Sequence, residues 1–168
     1  MKRERHTILL VDDDPNDLLF IGRAFREGGI ADPICTASNA DEAICYLHGL
    51  GKFADRCKFE FPSFIMCDLK MGPGDGFKLL RELKGNPTWA IIPTVIFSDS
   101  CDEDDIKKAY LLGANSFLIK PQHPDRLREL IKKFHDYWTT VEVPRTNAAG
   151  EMLSTESHGK LGAAFSFH

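Results

Sequence analysis

A chain of 168 residues with 43% hydrophobic and 27% charged residues can bury a real core and suits one domain with a tail. Its net charge of −4 and pI near 5.8 exclude a general attraction to nucleic acid, and no basic stripe stands out. No apolar run approaches bilayer-spanning length, and the charged residues 1–5 lead into a strand rather than a signal-peptide core. The expectation is a cytoplasmic protein with no membrane and no nucleic-acid partner. The five cysteines (Cys35, Cys45, Cys57, Cys67 and Cys101) are odd in number and form no CxxC, which favours reduced thiols over disulfides or zinc. The six histidines show no metal-ligand spacing and read as solvent-facing or helix-cap residues.

In chain order, residues 7–11 (TILLV) form an apolar run of strand length that ends in Asp12 and Asp13. Asp14 then Pro15 reads as an N-cap and first helical position, and Asp17 adds a negative charge to the first turn. Leu18, Ile21, Gly22 and Phe25 recur at helical spacing until Gly28 and Gly29 stop the element. Residues 33–37 are a weaker strand. Ser38 or Asn39 caps a helix whose inner face is Ala40, Ala43, Ile44 and Leu47. In the connection 48–62, Phe53, Phe59 and Phe61 are expected to pack locally.

Residues 64–67 (FIMC) form a short apolar run of the kind that suits a strand buried on both faces of a parallel sheet. It stops at Asp68 and a loop rich in Gly and Pro. Phe77, Leu80 and Leu83 mark a third helix, ended by Gly85, Asn86 and Pro87. Residues 94–97 form a fourth strand, followed by Ser98. The acidic residues 102–105 suit a helix N-terminus through the macrodipole, with Ile106, Ala109 and Tyr110 as its inner stripe and Gly113 at its end. Residues 116–119 are the last strand and run into Lys120 and Pro121. Leu127, Leu130, Ile131 and Phe134 then give an amphipathic helix ending near Trp138.

Five strands alternating with five helices imply βαβ units, an α/β fold with a parallel sheet, and right-handed crossovers. From Thr139 the periodicity stops, so the domain is expected over residues 1–140. Residues 141–168 are expected to be a flexible tail in which Phe165 and Phe167 do not dock.

The strand ends carry the chemistry. In a parallel sheet the carboxyl ends share one edge, so Asp12, Asp13, Asp68, Ser98 and Lys120 are expected to converge. Crowded carboxylates repel unless a cation intervenes, and an all-oxygen set suits Mg²⁺. Asp68 beside a metal reads as a nucleophile toward phosphorus, with Lys120 balancing phosphoryl charge and Ser98 donating a hydrogen bond.

Val11-Asp12-Asp13, Asp68 with Met71 and Asp75-Gly76, Ser98, and Lys120-Pro121 together resemble the receiver domain of two-component response regulators. The likeness covers residues 7–138 and implies a flavodoxin-like, doubly wound, five-stranded parallel sheet in order 2-1-3-4-5 flanked by five helices. It implies Asp68 as phosphoacceptor, and Mg²⁺ held by Asp12, Asp13, Asp68 and the Lys70 backbone carbonyl. Ser98 and Lys120 would contact the phosphoryl group, with Ser98 and Phe117 as the switch pair. A histidine kinase or phosphotransfer protein would be the donor, the protein would catalyse only its own phosphorylation and dephosphorylation, and the last two helices with the last strand would form a possible homodimer face. The segment AYLLGANSFLIKP looks most like stand-alone receivers that partner phytochrome-like and hybrid histidine kinases.

Three residues depart from the pattern. Gly72 stands where the family has proline, with Pro73 displaced by one; Ser98 replaces threonine; and Asp99 stands where a small neutral residue is usual. Asp99 is expected to slow phosphorylation or hasten its loss, with Lys70 offsetting it by turning inward. Two alternatives remain: a receiver-like scaffold without phosphorylation, and a haloacid-dehalogenase-type phosphohydrolase. The latter needs an Asp where Lys70 stands.

Overall fold

Alternate residues of each strand feed opposite faces of one sheet, because successive side chains on a strand point to opposite sides. In the computed structural model, which describes residues 6–72, 75–144, 146–147 and 150–152, β1 (Ile8–Val11) sends Ile8 and Leu10 to one core and Leu9 and Val11 to the other. The Ile8 and Leu10 side packs with Ile21 and Phe25 of α1 (Pro15–Glu27) and with Ile131 and Phe134 of α5 (Pro124–Trp138). The Leu9 and Val11 side packs under α2 (Ala40–His48), α3 (Gly76–Gly85) and α4 (Glu103–Leu111). Each fully buried Leu, Ile or Phe contributes about 1.5–3 kcal/mol relative to exposure.

The remaining strands are β2 (Ile34–Ala37), β3 (Phe64–Cys67), β4 (Thr94–Ser98) and β5 (Ser116–Ile119). They pair in parallel in the order β2-β1-β3-β4-β5, the order the resemblance implied. β1 and β3 are buried throughout, which is why they read as unbroken apolar runs, whereas β2 and β5 at the edges are only partly covered.

The helix starts follow the sequence signals. Asp14 caps α1, its Oδ1 accepting from the Asn16 N–H at 2.8 Å; Asn39 rather than Ser38 caps α2. The connection after α2 is tied down as expected. Phe53 and Phe61 are buried and Phe59 packs against them, while Arg56 donates to the Tyr46 and Leu47 carbonyls at 2.8 and 2.6 Å. Tyr46, absent from the expected inner face of α2, is fully buried and its hydroxyl donates to the Glu60 carbonyl at 2.6 Å.

Two expectations need correction. Tyr110 is not on the inner stripe of α4: it is 50% exposed, and its hydroxyl accepts from the Phe117 N–H at 3.2 Å. Helical period alone mistook a ring lying along β5 for a core residue. His135 is not a surface or cap histidine but is buried, its Nε2 2.7 Å from Asp32 Oδ2. Beyond α5, Thr146 and Met152 form an antiparallel bridge, and Gly150 (φ 84°) lies so close to the Phe61 ring that a Cβ would sit 2.6 Å from it. Residues 1–5, Pro73, Phe165 and Phe167 lie outside the described residues.

Candidate functional site

Register brings the site together. Val11 lies opposite Cys67, Cys67 opposite Ile96, and Ser98 opposite Ile119, so neighbouring strands end almost level. Pairing continues one step beyond: the Asp68 N–H donates to the Val11 carbonyl at 2.8 Å, and the Lys120 N–H to the Ser98 carbonyl at 2.9 Å. Side chains more than a hundred residues apart in sequence therefore leave the sheet into one volume.

Asp12, Asp13 and Asp68 each present a carboxylate oxygen within 4.8 Å of the others. Asp12 and Asp68 are buried and Asp13 is exposed. The Lys120 ammonium sits 2.7 Å from Asp12 Oδ2, 2.7 Å from Asp17 Oδ2 and 3.5 Å from Asp68 Oδ2. Backbone donors aim the carboxylates: Asp14 N–H to Asp12 Oδ1 (2.9 Å), Leu69 N–H to Asp68 Oδ1 (2.7 Å), and Gly72 N–H to Asp13 Oδ2 (3.1 Å). The last bond uses the departure at Gly72, since a proline there would have no N–H to give. Gly76 is needed for a different reason, because a Cβ would lie 2.4 Å from the Asp68 carbonyl oxygen.

Burial raises the Asp12 carboxyl above its usual range; the Lys120 ammonium and the Asp14 N–H oppose this, and the nearby Asp68 charge adds to it. Burial alone would pull the Lys120 ammonium down. Hydrogen bonds to Asp12 and Asp17, with the charges of Asp12 and Asp68, outweigh that and hold it above the ordinary lysine value. Lys120 is therefore a permanent cation here. Cys67 is a neutral packing group: burial first, then the charges of Asp68 and Asp12, push its thiol far up.

An all-oxygen set with several carboxylates and one ammonium retains excess negative charge. That donor chemistry fits a hard divalent cation, which oxygen ligands hold while it keeps part of its water. Asp12, Asp13 and Asp68 are the residues that fit it.

Ser98 is buried at the floor, its Oγ accepting from the Ser100 N–H at 3.4 Å. Phe117 is half-buried against the core beneath α4. Lys70 does not turn inward to offset Asp99: its ammonium lies 3.2 Å from Asp105 Oδ2 on α4, a carboxylate that is the nearer partner once α4 is in place. Asp99 is exposed and lines a cleft of about 620 Å³ between α1 and the start of α5, whose wall also includes Asp17, Phe97 and Lys120. The sequence marks Asp17 only as a first-turn charge. Its role as the second close partner of Lys120 shows only once α1 packs beside the end of β5.

Comparison with known proteins agrees with this geometry. Residues 8–132 match the response regulator receiver domain family. The chain is 30% identical over 131 residues to the probable methanogenesis regulatory protein FilR2 of Methanothrix harundinacea, covering 78% of this chain and 82% of that one. The crystal structure of the phosphorylated cyanobacterial phytochrome response regulator RcpA superposes with a TM-score of 0.77 at 30% identity, over 84% of this chain and all (100%) of that one. The Mn²⁺-bound form of response regulator Rcp1 superposes with a TM-score of 0.74 at 27% identity, over 83% of this chain and 99% of that one. This chain belongs to the response regulator receiver family.

Proposed function

We propose that this receiver domain accepts a phosphoryl group on Asp68 from a phosphohistidine of a histidine kinase or phosphotransfer protein, in a reaction that needs Mg²⁺. The observation that carries the reading is the Lys120 ammonium beside both Asp12 and Asp68, next to an oxygen cluster complete enough for a divalent cation. A carboxylate oxygen of Asp68 attacks phosphorus, an O–P bond forms, the P–N bond breaks, and the departing imidazole nitrogen keeps the electron pair and then takes a proton from water. Mg²⁺, when bound, neutralises charge on the phosphoryl oxygens.

Asp12, Asp13 and the Lys70 backbone carbonyl would join Asp68 in holding the ion. Lys120 places a fixed positive charge beside the phosphoryl group, and Ser98, from the floor, donates a hydrogen bond to it. Drawing Ser98 toward the phosphate changes the space beside Phe117. Phe117 in turn carries the change to α4, β5 and α5, a face that exposes Tyr110, Leu111, Ile119 and Tyr137. That face is the proposed protein-contact or homodimer surface. The domain spans 1–140 with 141–168 as a C-terminal tail, and the protein is cytoplasmic without nucleic-acid contacts; among the described residues no helix is long and apolar enough to cross a membrane.

Lys70, exposed and paired with Asp105, supplies no acid or base two residues after Asp68, which argues against a phosphohydrolase. Intact-protein mass spectrometry with Mg²⁺ and acetyl phosphate tests the proposal. One added phosphate, absent in Asp68→Asn and without Mg²⁺, is expected. No adduct in the parent under any donor would leave a phosphorylation-independent scaffold.

A further inference from the structure

We propose that Asp17 is a positioning residue that holds the Lys120 ammonium against the wall of the pocket and so restrains its transfer to the phosphoryl group. The inference rests on the reading of Asp68 as phosphoacceptor and deepens it.

Lys120 has three N–H donors. Two are engaged at 2.7 Å, one by Asp12 and one by Asp17, while Asp68 Oδ2 at 3.5 Å lies outside good hydrogen-bond distance. The resting ammonium is thus held by the two neighbours of the phosphoacceptor rather than by the phosphoacceptor itself. These two holders differ. Asp12 is in the oxygen cluster that fits a divalent cation, so a bound cation competes with Lys120 for its charge. Asp17 is outside that cluster, on the third residue of α1. Metal binding therefore loosens one link and leaves the other intact. The Asp17 link decides how far the ammonium can lean toward new oxygens on Asp68.

The Lys120 side chain is only 9% exposed and Asp17 is 33% exposed, facing the cleft shared with Asp99. A charge-assisted bond at this half-screened position is stronger than a surface ion pair, so salt should weaken it little.

The test compares Asp17→Asn, Asp17→Glu and, as a charge control on the same cleft, Asp99→Asn. Initial phosphorylation by acetyl phosphate is followed at saturating Mg²⁺ in low and in 0.5 M salt (roughly a 4 Å screening length). A second reading, free of metal and phosphodonor, is the ¹⁵N–¹H signal of the Lys120 ammonium. Asp17→Asn, whose amide oxygen can still accept from Lys120 but carries no charge, is expected to phosphorylate about fivefold faster, the difference between a charged and a neutral acceptor, with the gain kept in high salt. Asp17→Glu should stay near the parent, and any gain in Asp99→Asn should vanish in high salt. The Lys120 ammonium signal should broaden in metal-free Asp17→Asn. An unchanged or slower Asp17→Asn, a gain that salt removes, or an unaltered ammonium signal would overturn the proposal. If no protein in the set takes up phosphate, the reading of Asp68 fails instead, and the metal-free signal still decides whether Asp17 holds Lys120.

Discussion

At the carboxyl edge of the sheet one ammonium, Lys120, meets the carboxylates of Asp12, Asp17 and Asp68, with Asp13 beside them. At the amino edge one imidazole, His135, meets one carboxylate, Asp32. Both sites bury polar groups: Lys120, Asp12 and Asp68 at one edge, His135 and Asp32 at the other. At the amino edge the arrangement is closed: Asp32 Oδ2 is 2.7 Å from His135 Nε2, and Asp32 Oδ1 accepts the His6 N–H at 3.2 Å, so both oxygens are used. That clasp joins the end of α5 to the chain entering β1, and nothing in it calls for a ligand. At the carboxyl edge acids outnumber the cation, and the surplus is the part of the design that a metal and a phosphoryl group can use. A buried polar pair whose acceptors are all used holds a fold together; buried charge in excess keeps a place open at some cost in stability.

The comparison predicts opposite responses to mutation. The largest effect belongs to Lys120→Met, which leaves Asp12 and Asp68 buried with no cation. Breaking such a group from one side costs about 3–5 kcal/mol. Urea unfolding at pH 7 in metal-free buffer should show this, and millimolar Mg²⁺ should restore part of it, because a ligand of the folded state stabilises by mass action. A loss below about 1 kcal/mol, no more than an exposed pair is worth, would mean that Lys120 is not the counter-charge of the pocket.

Next in size is Asp32→Ala at the amino edge. It leaves a buried imidazole and the His6 N–H without their acceptor, a loss of about 1–3 kcal/mol. For a chain of this size the melting temperature should fall by roughly 2–4 °C per kcal/mol. Mg²⁺ should not rescue this variant, and its phosphorylation rate should match the parent. Rescue by Mg²⁺ would break the distinction between the edges.

Legibility in the sequence divides along similar lines. The apolar runs before Asp12 and Asp68 were plain because β1 and β3 are covered on both faces, and residues that leave a buried strand at its carboxyl end have one place to go. Sheet order came from the family likeness, since alternation alone does not say which strand sits beside which. The Asp32–His135 clasp was hidden because neither residue stands in a motif and the two are joined only when α5 packs back along α1. Asp17 was hidden because it stands in no motif and meets Lys120 only when the start of α1 comes beside the end of β5. Tyr110 misled because its period matched a helix face, while its hydroxyl prefers the unpaired N–H of Phe117 at the sheet edge.

The smallest effect, and the sharpest test of surplus, is Asp12→Asn. Burial raises the folded Asp12 carboxyl above its ordinary value, so between the unfolded and folded values the folded state binds more proton than the unfolded state. Stability must then fall as pH rises through that window and remain lower at neutral pH. Asparagine has no such proton, yet its carbonyl can still accept from the Asp14 N–H or from Lys120, so the variant escapes the fall while keeping part of the bonding. Without divalent metal, Asp12→Asn should be more stable than the parent at pH 7 by on the order of 1 kcal/mol. The difference should shrink as pH falls through that window and be gone by about pH 3, where the parent carboxyl is protonated both folded and unfolded, and at pH 7 it should close or reverse in millimolar Mg²⁺, which the parent holds with its full oxygen set. Paired urea titrations at the two pH values, with and without Mg²⁺, separate these terms. A variant less stable than the parent in metal-free buffer at pH 7 would show that Asp12 and Lys120 form a closed pair, as fully used as the Asp32–His135 clasp, and that the carboxyl edge holds no surplus to offer a ligand.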